Sequence, residues 1–180
     1  MGTDKKKEEI DLAEESDRGA VIVAAAILED DLAKVLETIL VANDVPEKHR
    51  KEMFDVNGPL SSFSSKMLIC YGFGLISRDV FDDLTKIRRL RNRFAHSSGD
   101  VDFFSEEINS IVFNLKCTEL PRKEFEGKRY SPSGEKPPKE WEMRSAGLLK
   151  YPKAVFCIGV QMLRVEIIRC QLAKLKGEAI

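Results

Sequence analysis

The stretch RRLRNRFAHSSG, running from Arg88 to Gly99, gathers four arginines, an asparagine and one of the chain's two histidines. An imidazole can take or give a proton near neutral pH, and a guanidinium offers a fork of donors that fits a carboxylate or a phosphate. Held close together, such groups make either a catalytic or ligand-binding constellation or the charged end of a structural helix. A helix advances about 100° per residue, which decides which of them share a face. Arg89, Asn92, Arg93 and His96 follow i, i+3, i+4, i+7 and form one polar stripe. Arg91 falls instead in the apolar arc, near Leu84, Ile87 and Phe94. A cation drawn toward a core must find an acceptor, since an unpaired buried charge is costly. Arg91 is therefore expected to form a structural ion pair with an acid of the long helix before it, either Glu29, Asp30 or Asp31, or Asp17 at its start.

The other charges here also have a simple structural explanation. Asp79, Asp82 and Asp83 begin this helix and Arg88, Arg89, Arg91 and Arg93 end it, which complements the helix dipole. His96, followed by Ser-Ser-Gly, is equally placed to act as a C-terminal cap.

The elements that must position these residues are helices. Asp17 precedes a long segment in which Val21, Ala24, Ala25, Leu28, Leu32, Val35, Leu36, Ile39 and Leu40 recur at helical spacing. Its first half, GAVIVAAAIL, is apolar all round, as expected of a helix surrounded by others. Pro46 suits the first turn of a short helix in PEKHRKEMF, which stops before Asn57-Gly58-Pro59. In SSFSSKMLICYGFGLIS the spacing puts Phe63, Met67, Leu68 and Tyr71 on one buried side, with Gly72 or Gly74 closing the helix. Ser77 is an N-cap for a helix through Ala95 or His96, carrying Val80, Phe81, Leu84, Ile87, Leu90 and Phe94, and Ser105 caps another with Ile108, Ile111, Val112 and Leu115. After Pro152 a last long helix runs to about Lys176 with Val155, Ile158, Met162, Val165, Leu172 and Leu175 as its stripe, ended by Gly177. No run of strand alternation appears. The fold class is all-α, a single-domain helical bundle of five to six helices spanning 16–180 behind a charged arm at 1–15. Within it, 119–150 is a Pro-rich excursion before the last helix, and its Trp141 is placed to anchor it to the body or to a partner.

Composition narrows the function. At 180 residues, 43% hydrophobic and 33% charged, the chain can bury a core without disulfide or metal staples. A net charge of −1 gives no global attraction to nucleic acid or an anionic membrane, so only a local patch could hold such a partner. Cys70, Cys117, Cys157 and Cys170 lie far apart without metal-ligand spacing and read as small buried hydrophobes in a reducing cytoplasm. The start, MGTDKKKEEIDLAEES, lacks the apolar core of a signal peptide, and no apolar run reaches the length of a membrane span. His49 has no second His or Cys at ligand spacing, so no metal and no cofactor are expected. No helix-turn-helix with a basic recognition helix is found, so direct DNA reading is not expected.

The segment RNRFAH fits R-N-x-x-x-H and resembles the signature of HEPN-like domains, helical bundles that often dimerise and include metal-independent RNA-cutting enzymes. ESDRGAVIVAAAILEDDLAKVL, GPLSSFSSKMLICYGFGLIS and IRRLRNRFAHS resemble successive blocks of the mannitol operon repressor (MtlR) family, in the same order, over roughly residues 15 to 116. This second resemblance implies a bacterial transcriptional regulator, repressor-like; with no DNA-reading element found, it is expected to work through a regulatory protein partner, and a homodimer is expected by analogy with HEPN-like domains. In that case the RNRFAH helix organises the core or a symmetric interface, with Arg91 paired internally, His96 as a cap and Trp141 as a candidate for binding the partner, while Arg89 and Arg93 are candidate binding residues for phosphate in the nuclease alternative. The HEPN-like motif implies the alternative, an endoribonuclease in which His96 handles the proton, Arg91 steadies the phosphate and Asn92 orients the histidine, with RNA as partner. Arg91 and His96 stand about 140° apart on an ideal helix, so that chemistry needs His96 to leave the helical path or a second protomer to complete the site.

Overall fold

The computed structural model describes residues 11–97, 101–119 and 151–176, with only the backbone of Leu175. Six α-helices and one short 3₁₀ turn lie among them, and no strand. They are α1 (Asp17–Ala42), α2 (Glu47–Phe54), α3 (Phe63–Gly72), α4 (Arg78–His96), α5 (Glu106–Phe113), the 3₁₀ turn Lys116–Thr118 and α6 (Pro152–Leu175). The all-α bundle expected from periodicity is the fold observed. Trp141, Gly177 and most of the Pro-rich excursion lie outside the described residues.

Helix α1 is the hub, in contact with α3, α4 and α6. Ser16 is its N-cap, accepting from the Gly19 N–H at 3.0 Å. Ala20, Val21, Ala24, Ala25, Leu28, Leu32, Val35 and Leu36 are buried. Ile22 and Ala26 remain exposed, so one edge of the apolar first half faces solvent. Helix α3 closes through a Schellman turn. The Leu75 N–H bonds the Cys70 carbonyl at 2.7 Å, the Gly74 N–H bonds Tyr71, and Gly74 takes φ +61°, a conformation that favours glycine.

Two expected faces are corrected. On α3, Phe63 and Met67 are buried but Leu68 and Tyr71 are exposed, and Lys66 is buried in their place. Its ammonium reaches Glu29 on α1 at 2.6 Å, so a lysine completes the buried face because an acid of the hub meets it. On α6, the buried set is Val155, Phe156, Val160, Leu163, Ile167 and Cys170, while Val165 and Leu172 face solvent. This helix carries apolar residues on opposite sides, so spacing alone does not choose the one that faces the core. Gly159 permits this orientation. A Cβ there would stand 2.7 Å from Thr118 Cγ2 and 3.3 Å from Cys117 Sγ, so the bare backbone lets the 3₁₀ turn lie against α6.

The cysteines are free. Burial pushes the Cys70 thiol up to about 12, and it also raises Cys117, where the nearby Asp83 carboxylate adds to the effect. Both stay protonated at neutral pH.

Candidate functional site

Helix α4 presents the arginine-rich end. Ser77 caps its start, with its hydroxyl accepting from the Val80 N–H at 3.3 Å, and Val80, Leu84, Ile87, Leu90 and Phe94 are buried. Phe94 anchors the last turn. Its ring meets that of Phe103 at 5.8 Å, which meets Phe156 of α6 at 5.3 Å. Arg18 of α1 donates from Nη2 to the Ser97 carbonyl at 2.8 Å, placing a cation where the helix C-terminus is partially negative.

Arg91 does not pair with any of the expected acids. It is exposed, and Nη1 donates to Asn92 Oδ1 at 3.1 Å. The acids have other partners: Glu29 holds Lys66, Asp31 holds Lys34 at 3.1 Å and Arg164 at 2.7 Å, and Asp17 faces Lys153 at 3.8 Å and accepts from the Phe103 N–H at 3.1 Å. Asp30 is exposed. The cause is where α3 starts. Ser64 meets Arg88 and Tyr71 meets Phe81, and this antiparallel register puts Arg91 opposite Ser61, ahead of the first residue of α3. The wall that would bury the Arg91 side of α4 has ended by that level. Arg91→Ala is accordingly expected to change stability by less than about 0.5 kcal/mol. A loss above about 2 kcal/mol in urea denaturation would show that the guanidinium does hold helices together.

The remaining motif residues do not converge. Arg89, Asn92, Arg93 and His96 share an exposed face as the spacing predicts. Arg93 pairs with Glu107 of α5 at 3.1 Å, an exposed contact that contributes little to stability. Asn92 contacts Arg91 and not His96. The C-cap is made by the Ser97 backbone N–H on the Arg93 carbonyl at 3.1 Å. The His96 ring makes no hydrogen bond or ion pair among the described residues. What the helix end offers chemically is a cationic surface in which Arg88, Arg89 and Arg91 lack a carboxylate among the described residues.

The polar groups that hold this helix were missed from spacing. Asp83, almost fully buried, accepts from the backbone N–H groups of Lys116 at 2.9 Å and Cys117 at 2.7 Å, with the Lys86 ammonium at 3.2 Å. Lys116 also contacts Asp79. Arg88 is half-buried, with Nη1 on Ser64 Oγ at 2.7 Å, while its Nε is buried without an acceptor. An open groove between α1 and α2, about 440 Å³, is lined by Asp30, Lys34, Glu37 and Phe54 and lies apart from this end. No group of three or more His, Cys, Asp or Glu among the described residues is placed to hold a metal, and no described helix is long and apolar enough to cross a membrane.

Residues 7–136 match the family model described as mannitol repressor. Similar curated proteins are the mannitol operon repressors of Escherichia coli strains K12 and O6:H1, each 26% identical over 101 residues, or 56% of this chain and 52% of the relative. The chain thus aligns with about half the length of these relatives. Among solved structures, the X-ray structure of the MtlR-HPr complex from Escherichia coli has a similar fold, with a TM-score of 0.57 at 21% identity over 88% of this chain and 92% of that one.

Proposed function

Because the chain belongs to the mannitol repressor family, we propose that it is a repressor-like transcriptional regulator that acts by binding another protein rather than by reading DNA itself. The family match over residues 7–136 is the observation that carries this proposal. A solved protein of similar fold was crystallised with HPr, and a protein of that kind is the partner we assign. The cationic end of α4 supports such a role, since arginines left without internal carboxylates are available to an acidic partner surface. We place the regulator in the cytoplasm, as a homodimer whose domain spans 16–180 with 119–150 as an insertion.

Calorimetric titration of the purified full chain with HPr, beside titration with a DNA duplex carrying the operator of a mannitol operon, tests this. Saturable binding to HPr, with only weak, salt-sensitive binding to the duplex, is expected. Tight sequence-specific binding to DNA and none to HPr would overturn it. Incubating mixed RNAs with the chain in EDTA, beside His96→Ala, is expected to show no cleavage. Cleavage lost with the histidine would make the chain a nuclease instead.

A further inference from the structure

Helix α3 begins among four serines, Ser61, Ser62, Ser64 and Ser65. Ser62 is its cap: its hydroxyl accepts from the Ser65 N–H at 3.0 Å and its carbonyl from the Lys66 N–H at 3.1 Å. The N–H groups of Phe63 and Ser64 come before those bonds and point past the helix end with no acceptor among the described residues. The first turns of α1, α2, α4 and α5 each carry an acid, whereas that of α3 carries none. The positive end of the α3 dipole is thus not offset by its own sequence.

Two arginines of α4 flank this end. Arg88 Nη1 donates to Ser64 Oγ at 2.7 Å, and Arg91 lies one turn further along α4, level with Ser61. Because the two helices are antiparallel, the free N–H groups of α3 point into the gap between these guanidiniums. Arg88 is half-buried and its Nε is buried without an acceptor, so the fold leaves a partly dehydrated cation incompletely bonded. Glu29, the acid that α1 brings to this end, is taken by the Lys66 ammonium at 2.6 Å. No carboxylate among the described residues lies within ion-pair distance of Arg88 or Arg91. The Ser64 hydroxyl accepts from Arg88, which leaves its own hydrogen free to donate outward. Two guanidiniums, a hydroxyl and two backbone N–H groups therefore converge, and all are donors. Such a set suits a tetrahedral dianion, with oxygens on every side, better than a planar carboxylate.

We infer that the start of α3, with Arg88 and Arg91, is a binding site for a phosphate group, either free or carried by a small molecule. The site is separate from the partner-binding function proposed above and stands or falls without it. Inorganic phosphate and glycerol phosphate are the probes, each titrated at constant ionic strength into the isotope-labelled full chain and followed by amide NMR. Saturable shifts of the Phe63 and Ser64 amides are expected, with none from glycerol or sodium chloride. Tighter binding of the ester assigns the site to a phosphorylated small molecule and equal binding assigns it to free phosphate; either result upholds it. Arg88→Gln is expected to weaken binding about tenfold or more, and Arg91→Gln, whose charge is more exposed, about threefold. Ser64→Asp sets a carboxylate in the first turn beside Arg88, in place of the anion. It should fold more stably than the wild type and abolish the shifts. That variant keeps the test sound even if Arg88→Gln fails to fold. Amides that respond to neither probe, equal shifts from chloride, or full binding by Ser64→Asp would overturn the inference. So would an RNA with a terminal phosphate that binds here while both small phosphates do not.

Discussion

Phe103→Ala is expected to lower stability by about 3–5 kcal/mol, the usual range for emptying a buried aromatic site. Phe103 is fully buried in a short connection and bridges Phe94 at the end of α4 to Phe156 near the start of α6. Its ring therefore joins parts of the chain far apart in sequence, and little nearby backbone can collapse to fill the space. The residue is held from both sides, since its N–H donates to Asp17 Oδ2 at the start of α1. Losing the ring should also loosen the end of α4 that presents Arg89, Arg91 and His96. For a chain of this length the thermal midpoint should fall by roughly 6–20 °C. Phe104 is the control, because it is the same residue type one position on and faces solvent. Phe104→Ala should move the midpoint by no more than about 2 °C. Equal losses at the two positions would mean that the aromatic bridge does not hold these elements together.

Helix ends were more legible in the sequence than helix faces, for a physical reason. Ser77 before α4, Pro152 in the first turn of α6 and the glycine that closes α3 act within one turn of chain, so composition reveals them. A face is decided by what lies across from it. On α6 both sides are apolar, and the close approach that Gly159 allows is to Thr118, some forty residues earlier. The same limit governs the α4 site. The helical wheel correctly grouped Arg89, Asn92, Arg93 and His96, but it placed Arg91 against the core because a wheel carries no information on where the neighbouring helix begins. The buried charges that do pair are others, Lys66 with Glu29 and Asp83 with Lys86. Lys66, between Phe63 and Met67 on an apolar face, and Asp83, between Val80 and Leu84, were equally visible as charges on buried arcs.

Asp83 shows what such a charge does once buried. Its two oxygens accept from consecutive backbone N–H groups, those of Lys116 and Cys117, at the start of the 3₁₀ turn. The carboxylate meets each donor with its own oxygen, whereas an asparagine amide has an acceptor at only one of those two positions. Asp83→Ala would leave two donors facing the vacated site. An unmet buried donor costs about 1–3 kcal/mol, so a loss of roughly 2–4 kcal/mol in urea denaturation is expected. Lys86 softens the effect, because its ammonium also reaches the Asn114 carbonyl at 2.8 Å and stays partly solvated. Asp83→Asn separates shape from acceptor number. It fills the same space but turns an NH₂ group toward one of the donors, so most of the alanine loss should remain. Full retention of stability by the asparagine variant would mean that the side chain acts by filling volume. Because Thr118 next in the turn meets α6 at Gly159, the alanine variant should also increase amide exchange at the N-terminal end of α6. Unchanged exchange there would show that the acid tethers the turn to α4 alone.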